Sequence, residues 1–255
     1  MKTFIKSVLR RGGYRIERIK QPEGAQDPDS KAAATLPASE CYARFQTVCP
    51  IFQPWLGYGD FVPAFDGVRE RTLVSPDRCY LLQKFARHAC QLSGDFIECG
   101  VFRGGTALLL ARTLPIRRAK LWLFDSFEGL SEASQEKGDS YKRGDFSESS
   151  FEAVSELLSP FSQKVELRKG WIPASFSGLE NLQFSFAHVD VDIYDPALAC
   201  CDFIYPRLVS GGVMMFDDYG YPACRGERNA VDKFFADKSQ PVIALPSGQG
   251  LVIKT

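Results

Sequence analysis

The run Asp95-Phe-Ile-Glu-Cys-Gly-Val-Phe-Arg-Gly-Gly-Thr106 limits the folds open to this chain more than any other stretch. Apolar residues lead up to Glu98, a turn carries Gly100, Gly104 and Gly105, and a helix opens at Thr106 with an Ala/Leu-rich run to Arg112. Strand, glycine turn and helix in that order are the opening unit of a nucleotide-type α/β fold. The glycines there let the backbone come close to a ligand at positive φ, and the first helical turn presents unpaired N–H groups. A dinucleotide cradle spaces its glycines G-x-G-x-x-G so that a pyrophosphate sits on the helix N-terminus. Here three side-chain residues separate Gly100 from the Gly104-Gly105 pair, and Glu98 at the strand end would repel a phosphate. The pattern suits a cationic amino-acid ligand instead, a description that S-adenosylmethionine meets.

The rest of the chain falls around that unit. Ser75-Pro76-Asp77 gives an N-cap with proline at the first helical position, and the helix it opens runs to about Gln91 with Tyr80, Leu81, Phe85 and Ala89 on one face. His88 on that helix reads as structural. After the glycine turn, strands at 120–124, 165–168, 184–189 and 213–216 alternate with helices at 151–158, 197–208 and 227–235. Alternation of this kind predicts a mostly parallel sheet with helices on both faces. Two short apolar runs, 242–245 and 251–253, joined by Pro246-Ser-Gly-Gln-Gly250, predict an antiparallel hairpin closing a seven-stranded sheet. The main domain is expected over 68–255. Before it, residues 1–67 divide into a basic leader, a Pro/Gly/Ala-rich linker at 21–40 and an aromatic segment at 41–65 broken by Pro50, Pro54 and Pro63. That segment reads either as a lid over a pocket or as a covering for one end of the sheet.

Charge excludes some partners. The 31 basic and 31 acidic residues cancel, which gives no reason to expect nucleic acid. The leader holds seven Lys/Arg against one Glu, so the remainder carries 24 basic and 30 acidic residues. Phe4, Ile5, Val8 and Leu9 share a helical face there, which leaves open a peripheral membrane contact through residues 1–20, although a loosely docked terminus is the plainer reading. No run is long enough for a membrane span. Eight cysteines without a CxxC pair read as reduced core thiols of a cytoplasmic protein.

In open α/β sheets the ligand crevice lies beyond the C-terminal strand ends, and here those ends are acidic. They carry Glu98, then Asp125 with Ser126-Phe127, then His188, Asp190 and Asp192, then Asp217-Asp218. Asp125 lies 25 residues after Gly100, about where a carboxylate accepts from ribose hydroxyls, although an aspartate there also serves as a turn or cap residue. Asp190, Asp217 and Asp218 arriving from adjacent strands repel one another, and a divalent cation would resolve the conflict. All-oxygen ligation selects Mg²⁺, Ca²⁺ or Mn²⁺. The alternative is that one of the tandem aspartates caps the next segment while the other faces solvent. His188 either moves a proton or orients substrate, or is a buried, hydrogen-bonded histidine.

Five collinear motifs, at 96–106, 124–130, 169–171 (Lys-Gly-Trp), 188–195 (His-Val-Asp-Val-Asp-Ile-Tyr-Asp) and 216–220 (Phe-Asp-Asp-Tyr-Gly), resemble the macrocin O-methyltransferase (TylF/MycF) family. Its members are class I S-adenosylmethionine-dependent enzymes with a Rossmann-like fold that methylate sugar hydroxyls of macrolides and aminocoumarins. The likeness runs from about residue 68 to the C-terminus and takes in Thr72-Leu-Val-Ser-Pro-Asp-Arg78. It implies that Glu98, Gly100, Gly104 and Thr106 border the cofactor's amino-acid end, that Asp125 holds the ribose, and that Ser126, Phe127 and Trp171 line the adenine. It further implies that Asp190, Asp217 and Asp218 bind Mg²⁺, with Asp190 and His188 the candidates for the base, and that the acceptor is a glycan or glycosylated small molecule. In one place the chain departs from the family. Val191 and Pro196 stand in Asp-Val-Asp-Ile-Tyr-Asp-Pro where the family has Gly and Ser. Two rival readings remain, a glycosyltransferase holding its metal through Asp190-Val191-Asp192 and a non-catalytic homologue; a homo-oligomer fits either.

Overall fold

The structure, a computed structural model, describes residues 52–115 and 119–255. The basic leader, the linker, Cys41, Cys49 and the aromatic residues before 52 lie outside the described part. The main-chain elements are α1 (Phe61–Asp66), α2 (Pro76–Ala89), β1 (Asp95–Cys99), α3 (Gly105–Thr113), β2 (Leu121–Asp125), α4 (Phe151–Leu158), β3 (Val165–Lys169) and β4 (Phe184–Val189). They continue with α5 (Tyr194–Ile204), β5 (Leu208–Phe216), α6 (Arg225–Phe235), β6 (Ile243–Ala244) and β7 (Gly250–Ile253). The sheet order is β3-β2-β1-β4-β5-β7-β6. The first five strands pair in parallel, and β7 runs antiparallel to β5 and β6. The expected mostly parallel seven-stranded sheet with a terminal hairpin is therefore present.

Strand alternation divides the core into two layers. Phe96, Leu123, Phe186 and Met215 point to one face and bury against Leu82, Ala86 and Leu109 of α2 and α3. Ile97, Phe124, Val189 and Phe216 point to the other and meet Ala197, Cys201 and Val231 of α5 and α6. Each such side chain removed from water contributes about 1.5–3 kcal/mol. With both faces covered, the strands read as continuous apolar runs, which is why their sequences show so little alternation. Among the six described cysteines none is in a disulfide and five are buried, in line with the expected core role.

Several expectations need correction. α2 buries Cys79, Leu82, Ala86 and Ala89; Tyr80, Leu81 and Phe85 are half-buried on its flank. That flank receives the described aromatic residues, because Phe61 and Trp55 meet the Tyr80 ring edge to face. Residues 61–66 are a regular helix, where the prolines had argued for irregular chain. Pro63 sits in its first turn, where the missing N–H has no intrahelical partner to lose. Phe61 and Phe65 are core residues, so the described part of the aromatic segment covers α2. His88 is exposed in the last turn of α2. α5 starts at Tyr194, three residues before the expected start, since Pro196 is likewise tolerated in a first turn. It ends at Ile204, where Pro206 breaks the ladder, and β5 begins at Leu208, which pairs with Phe184.

Candidate functional site

A cavity of about 350 Å³ opens at the C-terminal edge of the parallel strands, within the range of small-molecule sites. Its walls include Gly100, Thr106, Asp125, Ser126, Trp171, Asp190, Asp217 and Asp218, so the structure brings eight of the expected site residues together. Glu98, Gly104, Phe127 and His188 are not in the walls.

The glycine turn is tighter than a ligand alone would require. Gly100 has φ +87°, and a Cβ there would stand 1.7 Å from the Asp190 carbonyl oxygen. The approach that demands glycine is thus the crossing of the chain leaving β1 with the chain leaving β4. Gly104, at φ +82°, would place a Cβ 3.0 Å from Leu157 Cδ2, so it serves the packing of α4. Asp125 ties this turn down. Its Oδ2 accepts from the N–H groups of Val101 (2.8 Å) and Phe102 (2.9 Å), and its Oδ1 accepts from Phe127 N–H (2.7 Å). A carboxylate offers about four acceptor sites, so Asp125 has room for about one further hydroxyl rather than the pair expected of a ribose. Ser126 Oγ donates to the Gly129 carbonyl and accepts from Glu128 N–H. Phe127 turns into the core, edge to face with Phe151.

Four non-glycine residues have positive φ among the described ones: Phe102, Phe127, Phe146 and Asp192. Such conformations cost on the order of 1–3 kcal/mol each and gather at functional sites. Phe102, Phe146 and Asp192 line the cavity, and Phe127 follows a residue that does.

His188 and Glu98 are register partners on adjacent strands, and alternation turns both toward the α2 side of the sheet. There they are fully buried, with Nδ1 2.8 Å from Glu98 Oε1. His188 Nε2 stands 3.5 Å from Asp217 Oδ1, an electrostatic contact at the limit of hydrogen bonding. Burial would depress the His188 pKa, but its contacts with Asp217 and Glu98 outweigh that and raise it well above the usual range. His188 is thus buried and hydrogen-bonded behind the cavity, and Glu98 is its partner rather than part of the cavity wall.

The three aspartates expected at a cation are close to one another, but not bare. Asp217 Oδ1 accepts from Gln249 Nε2 at 2.7 Å, and its Oδ2 accepts from Arg78 Nη1 at 2.6 Å. The same Arg78 nitrogen lies 2.9 Å from Asp218 Oδ1. Burial raises the Asp217 pKa, yet His188 and Arg78 overcome it and hold the group below its ordinary value. Asp190 moves well above its ordinary value through burial and repulsion by Asp217 and Asp218, Asp218 rises through burial and Asp217, and Asp192 is pushed up to about 8 through burial and Asp218. His188, Asp190 and Asp217 offer ligand atoms within 4.8 Å of one another, and so do Asp192, Asp218 and Cys224. The donor atoms nearest each other thus include an imidazole and a thiol, which the all-oxygen expectation left out.

Asp190, Asp192, Asp217, Asp218, Glu98 and Glu227 are clustered here with Arg78 and His188 as their cationic neighbours. One oxygen each of Glu98 and Glu227 is buried without a partner. Negative charge in excess of its local compensation is an environment that a divalent cation fits.

Other wall residues were not singled out from the sequence. Arg78 is the main one; a lone arginine in the first turn of a half-apolar helix was the available signal. Tyr141 and Phe146 come from the loop 129–149, where their rings meet at 5.1 Å. The loop is held by buried Asp139, which accepts from Ser134 N–H (2.7 Å) and Tyr194 N–H (2.9 Å). Val191, at the position where the chain departs from its resemblance, also lines the cavity.

Comparison with known proteins follows the same lines. The chain is 26% identical over 144 residues to the 8-demethyl-8-(2,3-dimethoxy-alpha-L-rhamnosyl)-tetracenomycin-C 4'-O-methyltransferase of Streptomyces olivaceus, covering 52% of this chain and 55% of that protein. It is 25% identical over 170 residues to the mycinamicin III 3''-O-methyltransferase of Micromonospora griseorubida, covering 60% and 67%. The matches thus span about half to two-thirds of these relatives. In fold it is similar to a calicheamicin methyltransferase, with a TM-score of 0.63 at 19% identity over 92% of this chain and 99% of that one. The macrocin-O-methyltransferase (TylF) profile matches residues 70–243, and with that match over most of its length the chain belongs to the macrocin-O-methyltransferase family.

Proposed function

We propose that the protein is an S-adenosylmethionine-dependent O-methyltransferase whose acceptor is a sugar hydroxyl of a glycosylated small molecule. The observation that carries this reading is the meeting of Gly100, Asp125, Ser126 and Trp171 with Asp190, Asp217 and Asp218 in one cavity. Gly100 and Thr106 would border the methionine end of the cofactor, Asp125 would take one ribose hydroxyl, and Trp171 would meet the adenine. Excess negative charge at the aspartates favours the sulfonium and ammonium groups.

Asp190, Asp217 and Asp218 would hold a divalent cation, Mg²⁺ being our choice. When bound, such an ion lowers the pKa of a neighbouring hydroxyl. The chain's own residues do the rest. Asp190 accepts the acceptor's proton, the acceptor oxygen forms its bond to the methyl carbon, and the sulfur–methyl bond breaks to leave S-adenosylhomocysteine. Tyr141, Phe146 and Tyr221 line the cavity and limit water. Alignment of the two reactants supplies on the order of 7–11 kcal/mol in favourable cases.

Two measurements test the reading. Thermal shift should rise with S-adenosylhomocysteine and stay flat with UDP; the reverse would favour a glycosyltransferase. Labelled S-adenosylmethionine incubated with rhamnosides and other deoxysugar glycosides should transfer label, and the Asp217→Ala/Asp218→Ala variant with EDTA should not. Equal transfer by that variant would refute the cation assignment.

A further inference from the structure

The acid cluster comes with a cation of its own. Arg78 sends a single nitrogen, Nη1, between the tandem carboxylates, at 2.6 Å from Asp217 Oδ2 and 2.9 Å from Asp218 Oδ1. The same atom approaches the Asp217 carbonyl at 3.4 Å. From its own helix, Nε donates to Ser75 Oγ, and Ser75 in turn is bonded to Asp77. The guanidinium is therefore aimed by the first turn of α2, and Nη1 stands where oxygens of Asp217 and Asp218 converge. A cation ligated through these two oxygens would have to displace Nη1.

We propose that Arg78 is a built-in counter-cation that competes with a divalent cation for Asp217 and Asp218, and so sets how tightly the site takes one. The inference rests on the assignment of these aspartates as cation ligands. Its physical basis is Coulombic. Arg78 removes one unit of negative charge from the cluster before any metal arrives, and the arriving ion must take oxygens from a guanidinium already bonded to them. The surroundings permit the exchange, because Asp217 keeps Gln249 on Oδ1 at 2.7 Å and His188 nearby when Arg78 withdraws. Arg78 lines the cavity, which gives its head a place to go. A purely structural tie makes the opposite forecast: without Arg78 the aspartates would splay and hold metal less well.

The test uses cofactor-free full-length protein and Mn²⁺ as the probe, with binding read from the paramagnetic resonance of free Mn²⁺. Arg78→Gln should bind Mn²⁺ at least about tenfold tighter than wild type, whereas Arg78→Lys, which keeps the charge, should stay within about threefold. Circular dichroism melts establish that each variant is folded. Folded Arg78→Gln that binds Mn²⁺ equally or more weakly overturns the proposal, as does the absence of binding by both proteins at millimolar Mn²⁺. Wild-type crystals soaked in Mn²⁺ need no variant. Anomalous density at Asp217 and Asp218 with Nη1 moved off at least one carboxylate is expected, and density there with both Arg78 contacts kept would overturn the idea. S-adenosylhomocysteine affinity, measured on the same samples, separates the two questions: its loss in wild type sinks the proposed function, while unchanged affinity with unchanged Mn²⁺ binding sinks only the role of Arg78.

Discussion

Replacing Gly100 with alanine should damage the protein through a backbone crossing. At φ +87° the residue lies where an L side chain costs about 1–2 kcal/mol. The new methyl would also fall 1.7 Å from the Asp190 carbonyl oxygen and 2.8 Å from its carbon. Neither chain can easily retreat, because Asp190 N–H is bonded to the Cys99 carbonyl at 2.8 Å and Gly100 N–H to the Phe124 carbonyl at 2.9 Å. Relieving the overlap means shifting backbone, at about 1–3 kcal/mol, and stretching at least one of those bonds, at about 1 kcal/mol. The total is about 3–6 kcal/mol, a large share of the 5–15 kcal/mol by which domains are usually stable. Gly144→Ala isolates the conformational part, since Gly144 has φ +85° and no atom within 4 Å of its would-be Cβ. Urea unfolding should therefore place Gly100→Ala about 2–4 kcal/mol below Gly144→Ala. S-adenosylhomocysteine affinity should fall in Gly100→Ala alone, because Asp190 moves with its carbonyl. Equal unfolding midpoints for the two variants would refute the crossing argument.

His188→Leu leaves Glu98 fully buried and without its partner, and urea unfolding should register a loss of about 3–5 kcal/mol; a loss below about 1 kcal/mol would mean that the pair is dispensable. Asp139→Ala frees the N–H groups of Ser134 and Tyr194 and should cost about 1–3 kcal/mol, with faster amide exchange over 131–146 as the local signature. Unchanged exchange would show that the loop is held by other contacts. Lys137→Ala removes an exposed pair with Asp195 and should leave the urea midpoint where it is.

Fold was legible where a residue's local preference and its tertiary use coincide. The Ser-Pro-Asp start of α2, the bounds of α4 and β4 and the mostly parallel sheet implied by β/α alternation all come from signals within a few residues. Helix boundaries near proline were harder, because Pro63 reads as a breaker until the first-turn exception applies. At the site, proximity to strand ends was legible and orientation was not. Glu98 and Asp125 lie at the ends of neighbouring strands, yet Glu98 turns into the α2 side of the sheet while Asp125 binds the glycine turn that follows β1. One register step decides between core and cavity, and sequence spacing does not fix it. Partners were the least legible. Arg78 and Gln249 lie 139 and 32 residues from Asp217 in sequence, and no local pattern links them.

The charges also bear on the rival glycosyltransferase reading. A sugar nucleotide would bring a diphosphate to a cavity whose wall holds Asp125, Asp190, Asp192, Asp217 and Asp218, with Arg78 as the lining Lys or Arg among the described residues. That arginine is already bonded to two of the carboxylates. A diphosphate would therefore add its charge to carboxylates whose lining arginine is already engaged. A sulfonium meets attraction from the same atoms, because a positive charge in this wall replaces missing compensation, whereas a negative one adds to the excess.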